Sequence, residues 1–168
     1  YTTGMANSGT AGYVAAGYDG SWAKLDSVEK LSFVDDTLST LSAVLSSARY
    51  SPAAMANSGT AGYIAGGTAA SLITTVNKLA FADDSMTTLG TGLSAATNYA
   101  AGMANSGTAG YIGGGNTGSR VTTVDKFAFP RDSRSKLGTG LSVSRGEVSG
   151  RDGEQRHRRV YRRRQHRF

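Results

Sequence analysis

The segment MANSGTAGYIAGG (Met55–Gly67) decides the fold, because its first nine residues occur three times in the 168-residue chain. The copies begin at Met5, Met55 and Met103, so the period is 50 and then 48 residues. A period of this length is typical of one supersecondary unit that is repeated along the chain. We therefore predict three repeats at 5–54, 55–102 and 103–150, preceded by the end of another repeat at 1–4 and followed by a basic tail at 151–168.

Within each repeat, bulky apolar residues alternate with smaller or polar ones. In VEKLSF, VNKLAF and VDKFAF they fall on every second position, which is the period of a β-strand with one better-buried face. Another short strand follows Asn-Ser-Gly, a sequence that accepts the positive φ of a hairpin turn. An Asp-containing turn comes after the Phe, and a fourth strand is predicted to begin at Leu41, Leu89 and Leu137. The predicted fold class is therefore all-β, with about four antiparallel strands in each repeat.

The elements of each repeat follow the order strand, Gly doublet, loop, V-x-K-[LF]-x-F, Asp-rich turn, Leu and LSxAR. This order resembles the kelch repeat of β-propellers. The doublet is Gly66-Gly67 in the second repeat and Gly114-Gly115 in the third, whereas the first has Ala16 before Gly17. The Arg that follows the last strand in the family is matched by Arg49 and Arg145 but not by Thr97. The usual Trp of that strand is replaced by Leu in all three repeats.

The resemblance implies that each repeat is a propeller blade of about four strands. Propellers generally have four to eight blades, so three blades imply an incomplete or open segment of a longer array. Open blade edges favour self-association.

The net charge of +6 lies entirely in the tail. Residues 1–150 carry ten Lys or Arg and ten Asp or Glu, whereas 151–168 carry eight Arg and two acidic residues. An Arg-rich segment that also contains Tyr161 and Phe168 can bind phosphates, so nucleic-acid binding through the tail is one hypothesis. The second hypothesis is that the tail is a disordered run of charged residues that only contact solvent.

The genetic code offers a third explanation of the tail. A fourth repeat is expected to start at about residue 151, where the basic run begins. When MANSGTAGYIGGGNTGS (Met103–Ser119) is written in GC-rich codons and read one base earlier, it translates as DGEQRHRRVYRRRQHRF, which is all of Asp152–Phe168. We therefore predict that the tail is a frameshifted, poorly packed start of a fourth repeat, and that nucleic acid is not its partner. Codons for 152–168 that cannot be re-read as the repeat would contradict this prediction.

The repeats lack the residue types of most catalytic centres. Residues 1–150 contain no His and no Cys, which excludes Ser-His-Asp and Cys-His nucleophiles and the usual zinc or copper ligand sets. Clustered carboxylate oxygens can bind a hard cation, and the candidates are Asp35, Asp36, Asp83 and Asp84. Their recurrence at one turn position favours capping of backbone N–H groups instead. We expect no enzyme activity, no metal and no cofactor.

The repeats differ most in the loop after the Gly doublet, which reads YDGSWAKLDS, TAASLITT and NTGSRVTT. Variable loops are where repeat proteins usually carry function. The first loop contains the only Trp of the chain, and aromatic side chains often anchor a partner. We predict partner contacts at Tyr18, Asp19, Trp22, Asn116 and Arg120.

The leading hypothesis is a non-enzymatic repeat segment that binds a protein or glycan through these loops. A surface of low charge favours an extracellular, cell-envelope or virion-surface location. The alternatives are a structural spacer or self-associating array, and a fragment of a propeller enzyme whose catalytic residues lie in missing blades. An exposed Trp22 favours binding, whereas a Trp22 packed inside a blade favours the spacer. No apolar run is long enough to span a membrane, so we expect no membrane partner.

Overall fold

The computed structural model describes residues 1–146, and every regular element within them is a β-strand. The strands form three sheets of four antiparallel strands each, and the described residues form no closed barrel. The prediction of an all-β fold is confirmed, and the sheets are consistent with blades of an open propeller-like segment. The strands are β1 Thr3–Asn7, β2 Ala11–Ala15, β3 Val28–Ser32, β4 Leu38–Thr40, β5 Ala53–Asn57, β6 Ala61–Ala65, β7 Val76–Ala80, β8 Met86–Thr88, β9 Ala101–Asn105, β10 Ala109–Gly113, β11 Val124–Ala128 and β12 Ser133–Lys136.

Each sheet is a meander in which consecutive strands are hydrogen-bonded neighbours. We call β1–β4 unit 1, β5–β8 unit 2 and β9–β12 unit 3. The first hairpin turn has Gly9 at φ +77°, which glycine adopts at little cost. The turn after β3 has Asp36 at φ +56°, a conformation that Asp tolerates better than most residues. Both turns lie where the sequence predicts them, and Thr3 and Gly4 belong to β1.

The fourth strands lie slightly earlier than predicted. They end before Leu41, Leu89 and Leu137, the residues at which they were predicted to begin. The reason is a tight turn, in which the Ser32 N–H donates to the Thr37 carbonyl oxygen at 2.9 Å and pairing resumes at the next residue. Leu41 therefore follows the strand and packs against the core.

The two faces of each sheet carry different residues. One face, which we call the Met face, has Met5, Tyr13 and Lys30 in register across the first three strands of unit 1. The opposite face, which we call the Gly face, has Gly12 opposite Leu31. The Met face of unit 1 packs against the Gly face of unit 2, and the Met face of unit 2 packs against the Gly face of unit 3.

The hydrophobic core lies at these junctions between units. The Met5 side chain lies over Gly62, where a methyl group on the glycine would overlap the Met sulfur. The Tyr13 ring stacks on Phe81 with the centroids 5.1 Å apart. The next junction repeats both contacts, with Met55 over Gly110 and Tyr63 on Phe129 at 5.1 Å. Each unit therefore depends on its neighbour for burial of its apolar face.

Several predictions concern residues outside the described part of the chain. The basic tail at 151–168, with Tyr161 and Phe168, and the last four residues of the third repeat fall there. Within residues 1–146, no helix is long and apolar enough to cross a membrane.

Candidate ligand-binding surface

Asp19 fixes the shape of the unit 1 loop that contains the only tryptophan. Its Oδ1 accepts hydrogen bonds from the N–H groups of Ser21 at 2.8 Å and Ala23 at 2.9 Å. These bonds, first that from Ala23, hold the pKa of the Asp19 carboxyl below its usual value. Trp22 has φ +64°, an uncommon conformation for a bulky residue, and its side chain is 74% exposed. The loop therefore presents the indole ring to solvent.

One tyrosine ring contacts this indole, and three further tyrosine rings extend the cluster. Tyr18 lies 5.7 Å from Trp22 and stacks on Tyr50 at 4.8 Å, as measured between ring centroids. Tyr1 meets Tyr18 and Tyr50 edge-on at 5.9 Å. Tyr99 lies 6.2 Å from Tyr1. Rings at these separations attract one another, and we call Tyr1, Tyr18, Trp22, Tyr50 and Tyr99 the aromatic surface.

A depression of about 350 Å³ adjoins the aromatic surface. Its wall includes Tyr1 and Tyr99 together with the hydroxyl-bearing residues Thr2, Thr3 and Ser51. A hydroxyl group can both donate and accept a hydrogen bond. The site therefore combines flat apolar rings with uncharged polar groups.

The tyrosine stack has a shifted hydroxyl pKa at Tyr18 and an ammonium group beside it. Burial of the hydroxyl, with a further contribution from Tyr50, raises the pKa of Tyr18, so Tyr18 is a neutral donor. Lys24 Nζ lies 5.8 Å from the centroid of the Tyr50 ring, within cation–π range. The same ammonium group donates a hydrogen bond to the Ala69 carbonyl oxygen of unit 2.

The other two predicted contact residues lie on the equivalent loop of unit 3. Asn116 pairs with Arg120 across that loop, as Tyr18 pairs with Lys24 in unit 1. The Asn116 Oδ1 accepts a hydrogen bond from the Gly118 N–H at 2.8 Å, so this side chain shapes its own loop. Arg120 is exposed to solvent. The structure thus brings Tyr18, Asp19 and Trp22 together and places Asn116 and Arg120 on a different unit.

Three of the four candidate metal carboxylates, Asp35, Asp83 and Asp84, have protein partners in turns and junctions, and Asp36 lies in the turn after β3. Asp35 accepts hydrogen bonds from the N–H and hydroxyl of Thr37, and Asp83 accepts one from the Ser85 N–H. Asp84 contacts Lys30 Nζ of unit 1 at 2.6 Å. Among residues 1–146, no group of three or more His, Asp or Glu could hold a metal ion. Asp35 and Asp83 therefore cap turns, as their recurrence in the repeats predicts.

Arg49 is fully buried at the junction between units 1 and 2. Its Nη2 donates a hydrogen bond to Asn77 Oδ1 of unit 2. Its Nε and Nη1 have no hydrogen-bond partner within the described part of the chain. Burial lowers the pKa of this guanidinium to about 10, because a buried cation without a counter-charge is unfavourable. Arg49 therefore belongs to the core and not to the aromatic surface.

Sequence reasoning identified the Trp22 loop but missed the tyrosines that complete the surface. Tyr1, Ser51 and Tyr99 each stand four residues before a repeated Met, and Tyr50 precedes Ser51. The available signal in the sequence was that Tyr1 and Tyr99 occupy the same repeat position. Their proximity depends on the stacking of the units, which brings β1 beside β5 and β5 beside β9.

Comparisons of this chain with models of known protein families and with curated proteins find no match.

Proposed function

We propose that the protein is a non-enzymatic binding module that takes a protein or glycan ligand on its aromatic surface. The observation that carries the proposal is the outward Trp22 ring, held by the Asp19-capped loop beside stacked tyrosines. Burial of Trp or Tyr side chains supplies much of the binding energy at many interfaces. Because the loop is already ordered in the free protein, little entropy is lost when a ligand binds.

The residues around the rings favour a glycan. The hydroxyl-bearing residues Thr2 and Thr3 line the depression next to Tyr1 and Tyr99, whereas the Ser51 hydroxyl is buried. Uncharged hydroxyls and flat rings match a ligand that presents hydroxyl groups at its edges and C–H groups on its face. The neutral body of the chain offers no strong field for a highly charged ligand.

The test is an array of immobilised oligosaccharides probed with the full chain and with Trp22→Ala. We expect the full chain to bind a subset of the array and Trp22→Ala to lose at least about 2 kcal/mol of that affinity, as truncation of a central aromatic anchor does. Val34→Ala is the matched control, because Val34 is 84% exposed and lies beyond the opposite end of β3. Since Trp22 is the only Trp of the chain, its fluorescence reports directly on binding in solution.

Binding of a protein ligand is tested by panning a displayed peptide library against the full chain, Trp22→Ala and Val34→Ala. Peptides that bind the full chain and Val34→Ala but not Trp22→Ala would identify a protein ligand. If neither the array nor the library yields binding that depends on Trp22, the proposal is wrong.

A further inference from the structure

Inside the stack, each junction between units is formed by a Met face packed on a Gly face. The two outer faces of the stack are a Gly face, on unit 1, and a Met face, on unit 3. Among the described residues, no unit covers the Gly face of unit 1 or the Met face of unit 3.

The first internal junction includes a set of polar contacts around the stacked rings that the second junction repeats. The Asn7 Oδ1 accepts a hydrogen bond from the Gly59 N–H at 2.7 Å. The Tyr13 hydroxyl and the Lys30 ammonium both contact Asp84, at 3.1 and 2.6 Å. The second junction repeats the set, with Asn57 to Gly107 at 2.6 Å, Tyr63 to Asp132 at 2.7 Å and Lys78 to Asp132 at 2.6 Å.

Unit 3 carries the Met-face half of this contact in the same arrangement. Lys126 Nζ lies 6.0 Å from the Tyr111 ring centroid, as Lys30 lies 5.7 Å from that of Tyr13. Met103 is 56% exposed, whereas the equivalent Met55, which is covered by unit 3, is 3% exposed. The Met-face half of the contact, which supplies the Tyr hydroxyl and Lys ammonium donors, is therefore present and exposed on unit 3.

Unit 1 carries the Gly-face half. Asp36 has φ +56°, close to the +55° of Asp84, so its carboxylate occupies the equivalent turn position. Phe33 is 44% exposed, whereas its counterpart Phe81, which stacks on Tyr13, is 9% exposed. Val14, Leu31 and Leu38 of unit 1 are also exposed. The Gly face of unit 1 therefore has aromatic, aliphatic and Asp residues at the same repeat positions as the Gly face that unit 2 packs against unit 1.

We propose that two copies of this chain associate head to tail, with the Met face of unit 3 in each copy packed on the Gly face of unit 1 in the other. Tyr111 then stacks on Phe33, and Lys126 and Tyr111 contact Asp36. A contact between two different faces closes into a ring when its rotation permits, and two copies give a ring of six sheets. Six lies within the four to eight blades of propellers, whereas three copies would give nine.

The test is native mass spectrometry and sedimentation of the full 168-residue chain. We expect a species of twice the chain mass and no larger oligomer. Leu31→Lys places a charge on the Gly face, and Met103→Lys places one on the Met face. Because each substitution affects both contacts of the ring, each is expected to weaken dimerisation by at least about a hundredfold. Val44→Lys is the control and should remain dimeric, since Val44 is 47% exposed and the nearest neighbours of its equivalents, Gly92 and Gly140, are Thr74 and Thr122 of their own units.

Mixing the two interface variants distinguishes head-to-tail pairing from any symmetric pairing of like faces. A Leu31→Lys copy retains its Met face and a Met103→Lys copy retains its Gly face, so a mixture should form a heterodimer through one intact contact. Circular dichroism of each variant establishes that it is folded. A monomeric full chain, an open-ended series of oligomers, or a dimer that survives Met103→Lys would each overturn the proposal.

Discussion

Replacing Gly102 with Ala should separate units 2 and 3 at the place where their first strands approach most closely. A methyl group built on Gly102 of β9 overlaps the carbonyl oxygen of Ala54 in β5. Both groups belong to backbones held in hydrogen-bonded sheets, so neither can move aside as a side-chain end could. Gly4 occupies the same position in unit 1, but a methyl group there would meet only the Tyr13 carbonyl oxygen at 3.7 Å, an ordinary contact.

Overpacking of a well-packed interior typically costs 1–3 kcal/mol, and the rigid backbone at this site favours the upper end of that range. We therefore expect Gly102→Ala to lower the free energy of unfolding by about 3 kcal/mol. Gly4→Ala, measured at a protein concentration at which the chain is monomeric, should change it by less than about 1 kcal/mol, because Ala reduces the entropy of the unfolded chain without a clash inside that chain. Urea unfolding followed by circular dichroism measures both. Equal stabilities of the two variants would refute the close approach of β5 and β9.

Two further predictions concern charged and titratable groups at the junctions. Asn77→Asp gives the buried Arg49 an anionic partner, so the free energy of unfolding should rise by about 1–2 kcal/mol at pH 7. The gain should be lost as the pH falls through the depressed carboxyl pKa, and a destabilised variant in urea unfolding would contradict it. Burial raises the pKa of Tyr13, and the hydrogen bond with Asp84 raises that of Lys30. Their contribution is present below about pH 10 and should be lost as the pH rises, because the unfolded chain releases these protons first. Tyr13→Phe should flatten this alkaline decline, and an unchanged slope would contradict the prediction.

The fold was predictable from the sequence to the extent that it is local. Alternation in VNKLAF and the Asn-Ser-Gly turn depend on neighbouring residues, so strands and turns lie near their predicted positions. The fourth strand was displaced because the length of the Asp turn depends on one hydrogen bond, from Ser32 to Thr37, which residue types alone do not specify.

The contacts between units were not predictable in the same way. Asp84 contacts Tyr13 and Lys30 because the Met face of unit 1 stacks on the Gly face of unit 2. Asp84 is 71 positions from Tyr13 and 54 positions from Lys30 in the sequence. The aromatic surface has the same origin, since Tyr50 and Tyr99 reach Tyr1 only when three units are assembled. Exposure of Trp22, by contrast, follows from a local loop capped by Asp19, which is why the sequence could single it out.

The central claim is that the Tyr-Lys pairs of units 1 and 2 each bind an Asp on the following unit. A double-mutant cycle on Lys78 and Asp132 tests it most directly. Lys78→Met removes the ammonium, and Asp132→Asn removes the charge while keeping a residue that tolerates the φ of +48°. The half-buried pair at 2.6 Å should give a coupling free energy of about 1 kcal/mol in urea unfolding. Additive effects of the two substitutions, with no coupling, would contradict the contact on which the stacking of the units and the pairing of two copies depend.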